Sequence, residues 1–591
     1  MPSAPHRPSV ADSDVEAAVR AYVARVARRY FALLVAAIAL VLVVVTVPTK
    51  TPNDNGSQAL GLNNGLQGTT GSSLGSGAGT GQAGGLQNTA SGSATGSGGS
   101  GGGAAASGAG LSSGSQGGSS RPGATTAASG LARSGVKCGP GVRQVTWSAY
   151  APNCVPKYTG SNGGATAPGV TAKTITLSFR LGNSQEDAAV NAAAGSSAPA
   201  PDPVFIADMN TYISYFNKQY ELYGRQVVLK SFQGQGDYIT EDQGQGADLA
   251  QADAATAKSL GAFADATFAL KGSDPYWRAL AQQHVIAIGP LGYPQSYYQQ
   301  YAPYWWSASA TGTMAANWFI NATCQRLAGM NAIYAPDKTM QVKKRVFGLI
   351  HPDNPQYISI ANDIKKGVGA CGVTPKEASY SINVVQYQAQ ATNIVAQMRS
   401  AGVTTVLCYC DPLVPIFLEN AAQSQQYNPE WISTYWGDPQ ARQPASGKWG
   451  GLIAMGGASP DLKQTEAYKV FKLASGGAEP REQYYAVAYA TVLYIMNALQ
   501  AAGPDLTPAA FARGMFSLPP SADSFMGRWT YGNNKYSPAT EVQIGWYDPN
   551  MTSKFDGQKG GYRNCAGGQE FLLSSAQGWG GPGQQLGCFG K

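Results

Sequence analysis

Charge is scarce in this chain. Only 13% of its 591 residues are Asp, Glu, Lys or Arg. The net charge of +7 is spread thin and forms no long basic run, which argues against a nucleic-acid partner. Histidine is rarer still, with only His6, His284 and His351, and no C-x-x-C pair exists. Zinc sites built from such pairs therefore lack ligands, and no metal or cofactor is expected. A phosphate-cradling P-loop is also missing. Two short matches to catalytic patterns, Gly71-Ser72-Ser73-Leu74-Gly75 and Gly79 to Gly84, lie in a Gly/Ser tract. Each pattern needs a strand before it and a helix after, and this tract offers neither. Asp411 and Asp438 each precede proline, where an aspartate usually forms a turn or cap. His351 reads as a capping or packing residue, so no catalytic set assembles and an enzyme is not expected.

Long apolar runs are nearly absent too, with one exception. Tyr30 to Val47, YFALLVAAIALVLVVVTV, carries no charge, and Arg20, Arg25, Arg28 and Arg29 precede it. Its length is at the lower limit for spanning a bilayer. A cleaved signal peptide is the alternative, but the preceding region is long and no small-x-small cleavage site follows. The favoured reading is an uncleaved signal anchor over 30–47, with residues 1–29 inside and the rest extracytoplasmic. Cleavage would release a secreted form.

Residues 48–135 are mostly Gly, Ser, Ala, Thr and Gln. They cannot bury enough apolar surface to offset their ordering entropy, so they read as a disordered tether. Its ends would average roughly 50 Å apart.

All eight cysteines follow the apolar run, as expected in an oxidising compartment. Connectivity is not readable from sequence alone. Spacing suggests Cys138 with Cys154 and Cys565 with Cys588, each closing a short loop near a terminus. Cys324 with Cys371 is plausible, which leaves Cys408 and Cys410. Those two sit two positions apart on a predicted strand and point the same way, near the upper reach of a disulfide.

From about residue 136, short apolar strands alternate with helical stretches. Ile175–Phe179, 227–232, 285–288, 346–350 and 403–409 read as strands, while 204–223, 247–260, 357–369 and 393–401 read as helices. This alternation predicts parallel sheets covered on both faces, and the length suits two lobes. Residues 484–502 place Tyr485, Ala488, Val492, Ile495 and Leu499 on one helix face, as in a lobe core. In such sheets ligands bind beyond the carboxyl ends of the strands. The loops there are rich in Tyr, Trp, Pro and Asp, including the aromatic run to Trp305 and Trp306. Aromatic walls with a few polar groups suit a small molecule held between lobes.

Four parts of the chain resemble the branched-chain amino acid type of ABC-transporter substrate-binding proteins, with the two-lobed type I periplasmic-binding fold. "TITLSF" with "YGRQVVLKSFQGQGD" is similar to the family's first strand, helix and second strand. "KRVFGLIHPDNPQYISIANDIKKGVGACGV" is similar to the opening of its second lobe. "TNIVAQMRSAGVTTVLCYCDPLVPIFLENAAQSQQYNPEWIST" resembles its next helix, strand, loop and helix. "REQYYAVAYATVLYIMNALQAAG" resembles its late core helix. The resemblance covers about 168–550. It implies a first lobe of 168–315 plus 452–515 and a second of 316–451 plus 516–550, with three hinge crossings.

By position, the resemblance places ligand loops at Ala266, Thr267 and Phe268, then Gly292 and Tyr293, in the first lobe. In the second they fall at Tyr357, Cys410, Asp411, Trp436 and Asp438. Phe268 and Tyr293 stand where the amino-acid binders have hydroxyl-rich turns, so a larger, partly aromatic or amide-like solute fits as well. The implied function is solute capture for an ABC permease, by a protein tethered to the membrane. A ligand-sensing ectodomain acting through a partner is the alternative.

Overall fold

The computed structural model describes residues 129–182, 188, 191–192, 202–267, 271–434, 449–453, 461–481, 485–523, 527–532, 535–554 and 556–588. All belong to the second of two compact units, Gln116–Lys591. The expected N-terminal anchor and most of the tether therefore lie outside the described residues.

The first sheet is built from β1 (Thr174–Leu181), β2 (Gln226–Gln233), β3 (Ala264–Asp265) and β4 (Ile286–Ala287). Their order is β2-β1-β3-β4, and every pair is parallel. Helix α1 (Asp202–Gln219) follows β1, the short α2 (Tyr238–Asp242) and α3 (Ala247–Ser259) follow β2, and α4 (Asp274–Gln282) follows β3. Ile175 to Arg180 of central β1 are all buried, with Ile175, Leu177 and Phe179 on one face and Thr176, Ser178 and Arg180 on the other. A strand covered on both sides by helices buries both faces, and here Ser178 and Arg180 on the polar one are satisfied by hydrogen bonds to Asp265 and Glu241.

The second sheet has eight strands. After α5 (Gly312–Ala322) come β5 (Phe347–Pro352), α6 (Pro355–Gly369), β6 (Lys376–Tyr380), α7 (Tyr387–Ser400), β7 (Thr405–Cys408), α8 (Val414–Ser424), β8 (Glu430–Thr434) and β9 (Trp449–Ile453). The chain then returns to the first lobe for α9 (Glu466–Ala474), α10 (Tyr485–Ala502) and α11 (Pro508–Phe516). It ends in the second sheet with β10 (Glu541–Thr552), β11 (Lys559–Asn564) and β12 (Phe571–Leu572). The strand order is β11-β10-β9-β8-β7-β5-β6, with β12 also on β10. Strands β6 to β9 pair in parallel, whereas β10, β11 and β12 are antiparallel. The expectation of two purely parallel sheets therefore holds for the first and fails at one edge of the second. Strands β10, β11 and β12 follow one another through short connections, which parallel crossovers cannot use.

Three further expectations change. Helix α10 is buried nearly all round, with Ala486, Ala490 and Leu493 as covered as the predicted stripe. Among the described residues it alone is long and apolar enough to cross a membrane, yet 83% of it is buried. Residues 129–135, expected in the tether, are folded: Gly130–Leu131 pairs with Lys137–Cys138, and the Cys138–Cys154 bridge clamps the hairpin. Residues 516–536, expected with the second lobe, pack into the first core through Trp529, Tyr531 and Tyr536. Large aromatics go where they bury most area.

The connecting segments run side by side. The Ser307 N–H donates to Tyr536 O at 2.8 Å, and Ser537 Oγ donates to Ser309 O at 2.6 Å. All eight cysteines are paired as Cys138–Cys154, Cys324–Cys371, Cys408–Cys410 and Cys565–Cys588. The Cys408 and Cys410 Cα atoms lie 5.2 Å apart, because strand β7 stops at Cys408 and the chain turns.

Candidate functional site: the cleft between the sheets

Below the cleft, a buried ionic network shapes the first-lobe wall. Arg180, near the carboxyl end of β1, meets Glu241 through two bonds of 3.0 and 2.7 Å. Its Nε lies 3.1 Å from Asp253 Oδ2, and its guanidinium covers the Tyr276 ring at 4.6 Å. Ser273 Oγ also donates to Glu241. Asp253 accepts from the Gln235 and Gly236 N–H groups, so the network grips the loop after β2. Gly236 is required there, since a Cβ would come within 2.0 Å of Glu241 Oε1. Asp237 caps α2 by accepting the Thr240 N–H at 2.8 Å. The outcome is a fixed position for Asp242, the last residue of α2.

Asp242 Oδ1 accepts the Asp274 N–H at 3.3 Å. Burial, then the neighbouring Asp274, Glu241 and Asp411 carboxylates, push its carboxyl up to about 8. Asp274 pairs with Arg278 at 2.6 Å, and Arg278 also lies over the Tyr297 and Tyr301 rings. Burial nevertheless raises the Asp274 carboxyl. These groups line a cavity of about 420 Å³, closed on the other side by Asn354, Pro355 and Gln356 at the start of α6. Its size is within the range of small-molecule sites.

Hydrogen bonds cross between the lobes at the cavity and beside α5, where the Gly312 N–H donates to Tyr293 O at 2.8 Å and the Gln295 N–H donates to Thr313 Oγ1 at 3.0 Å. Asn354 Nδ2 donates to the Asp242 carbonyl. Tyr409 Oη donates to the Gly292 carbonyl at 2.6 Å. Gly292 adopts φ 71°, which glycine reaches without strain. Tyr409 lies between the bridged Cys408 and Cys410, and its ring faces Tyr357 at 5.7 Å. The lobes are thus held closed by polar contacts at several points.

The residues proposed from sequence fall into distinct settings. Ala266 and Thr267 are fully buried, and the Thr267 hydroxyl accepts the Arg180 N–H at 2.9 Å. Tyr293 is buried and packs edge-on against Trp277 and Trp305. Tyr357 and Cys410 are partly buried at the cleft. Asp411 is occupied: Oδ1 accepts the Leu413 and Val414 N–H groups, and Oδ2 accepts the Tyr380 and Tyr387 hydroxyls at 2.7 and 3.0 Å. It is both a cap for α8 and an anchor for two rings. Phe268, Trp436 and Asp438 lie outside the described residues.

Trp305 and Trp306, read as part of an aromatic wall, are fully buried core residues. Their indole N–H groups donate to Trp277 O and Pro303 O, each at 2.8 Å. His351 is buried between Pro352 O and Glu377, with Lys365 on the same carboxylate. Sequence reasoning missed Asp242, Asp274 and Asn354. The only local signal was the Gln/Gly-rich loop around "GDYITED", which delivers three acids, Asp237, Glu241 and Asp242, soon after a strand.

Two parallel-sheet lobes, crossing segments side by side and a polar cleft between them define a solute-binding protein. The model of the periplasmic binding protein family matches residues 188–548, and the chain belongs to that family. No curated protein matches the sequence. Among solved structures, the fatty acid ABC transporter substrate-binding protein from Thermomonospora curvata is similar, with TM-score 0.50 and 16% identity. The match covers 72% of this chain and 99% of that one. A solute-binding protein from R. palustris in complex with 4-hydroxybenzoate aligns with TM-score 0.47 and 13% identity, covering 69% of this chain and 99% of that one. The leucine-, isoleucine-, valine-, threonine- and alanine-binding protein from Brucella ovis aligns with TM-score 0.45 and 11% identity, covering 68% and 96%.

Proposed function

We propose that this protein is held at the membrane by its N-terminal apolar segment and captures a small molecule between its lobes for an ABC permease. The observation that carries this reading is the cleft itself. A cavity of about 420 Å³ has walls from both lobes, and a few hydrogen bonds, not a shared core, link those lobes. Such contacts form and break readily, so solute can enter an open form and favour the closed one. The occupied hydroxyls of Thr267, Tyr380 and Tyr387 favour a ligand held by other groups of the cleft.

A thermal-shift screen of the full-length protein in mild detergent tests this. The library holds amino acids, amides, amines, short peptides, sugars and aromatic acids. A ligand at a hundredfold excess over its dissociation constant adds about 2.7 kcal/mol. A saturable rise with one chemical class supports capture, and silence across the library contradicts it. Membrane fractions that retain the protein after alkaline carbonate washing support the anchor, and release contradicts it.

A further inference from the structure

The balance of donors and acceptors in the cavity indicates the charge of its ligand. This inference rests on the solute-binding reading. Three carboxylates and Asn354 line the cavity beside Gln251, Gln282 and Gln356, and the partners of the carboxylates and Asn354 can be traced. Glu241 is cancelled by Arg180, which meets both of its oxygens. Asp274 is only half used: Arg278 meets Oδ2, while Oδ1 is buried without a donor. The side-chain oxygen of Asn354 is likewise buried without a donor, while its amide nitrogen donates to the Asp242 carbonyl. Asp242 has no cationic partner among the described residues, and its one hydrogen bond comes from a backbone N–H.

Acceptors are therefore left over from both lobes. Among the described residues lining the cavity, the cation Arg278 is already committed to Asp274 and to the Tyr301 hydroxyl. An anionic ligand would be buried against uncompensated carboxylates, which is costly. A neutral ligand would leave Asp242 protonated and bring no charged donor to the unpartnered oxygens of Asp274 and Asn354.

We infer that the cleft takes a small organic cation, a primary amine, amidine or guanidinium. Its charged end donates to Asp242, to the free oxygen of Asp274 and to the amide oxygen of Asn354. Its apolar part lies against Pro275, Ala279 and the edge of Tyr297 in the cavity wall.

The carboxyl of Asp242 is set up for this. It faces Glu241 on its own helix, Asp274 on α4, Asp411 before α8, and the Tyr293 and Tyr357 rings. With its carboxyl near 8, the empty site holds a proton at pH 7. Entry of a cation ionises the group, and that proton leaves to solvent.

The test uses charge-matched probes on the full-length protein. Benzylamine, benzyl alcohol and benzoate form one set, and butylamine, butanol and butyrate another. Agmatine adds a guanidinium. The expected result is a saturable rise in melting temperature with cations and none with their neutral or anionic counterparts. The Asp242→Asn variant should then bind the cation roughly 10- to 100-fold more weakly. Calorimetry of the unaltered protein in two buffers of different ionisation enthalpy should show about one proton released per cation bound at pH 7. That measurement needs no variant. Binding of a neutral or anionic probe with cations silent would overturn the cation inference and leave solute capture standing. Silence with these probes and with the wider library would overturn both. Cation binding with unchanged affinity in Asp242→Asn, or with no proton released, would refute the assignment of Asp242 as the seat.

Discussion

Tyr409→Phe isolates one contact between the lobes. The substitution removes the hydroxyl that donates to the Gly292 carbonyl and keeps the ring against Tyr357 and Phe319. A neutral hydrogen bond contributes about 0.5–1.5 kcal/mol net, and a buried carbonyl stripped of its donor costs about 1–3 kcal/mol. The Gly292 carbonyl regains water when the cleft opens, so the loss falls on the closed state alone. A cost of about 1–2 kcal/mol to closure is a factor of roughly 5–30 in the closed-to-open ratio. Ligand affinity should fall by the same factor, mostly through faster release. The melting temperature without ligand should change little, because both cores are untouched. Fluorescence transfer between one dye on each lobe reads the closed fraction directly, and titration with a solute identified by thermal shift reads the affinity. Unchanged affinity together with an unchanged closed fraction would refute the reasoning. A large drop in melting temperature would show that Tyr409 supports a lobe and not the closure.

Further outcomes follow from other parts of the structure. Replacing Cys408 and Cys410 together by Ala should leave the melting temperature within a few degrees and lower ligand affinity, because the turn that presents Tyr409 is freed; calorimetric titration checks this. Arg180→Met should lower stability by about 3–5 kcal/mol by stranding Glu241 and Asp253, measured by denaturant unfolding. Asp242 titrates near 8 in the fold against 3.8 in the unfolded chain, so the native state holds the extra proton between those values. Stability should therefore decline as pH rises from about 4 to 8 and level off above, and Asp242→Asn should lessen that decline, read from melting curves across pH. Thiol-labelling mass spectrometry of the unreduced, denatured protein should find no reactive cysteine.

Much of the fold was legible because its strands are short, apolar and separated by helices with clear polar faces. β1, β2, β5 and β7 stand where such patterns predict them. Spacing suggests the two terminal disulfides without fixing them, and the structure pairs them that way. The antiparallel edge did not, since "KGGYRN" carries little strand character and is held by pairing with β10. Trp305 and Trp306 misled because an aromatic run looks alike whether it lines a cleft or fills a core. Their neighbours Trp277, Phe511 and Tyr531 are remote in sequence. Asp242 was hidden for a related reason. Its loop reads as a polar turn, and only Asp274 and Asn354, brought in by folding, make it a partly buried acid. Asp411 was weighed as cap or ligand contact, and its four accepted hydrogen bonds fit the cap.

The central claim is that one solute is held in the cleft between the lobes. Equilibrium dialysis of the full-length protein against a mixed pool of small molecules, followed by mass spectrometry, tests it most directly. The account predicts that a single low-mass cation is enriched with the protein at one per chain, and that Asp242→Asn abolishes this enrichment. Enrichment of no solute at all would contradict it.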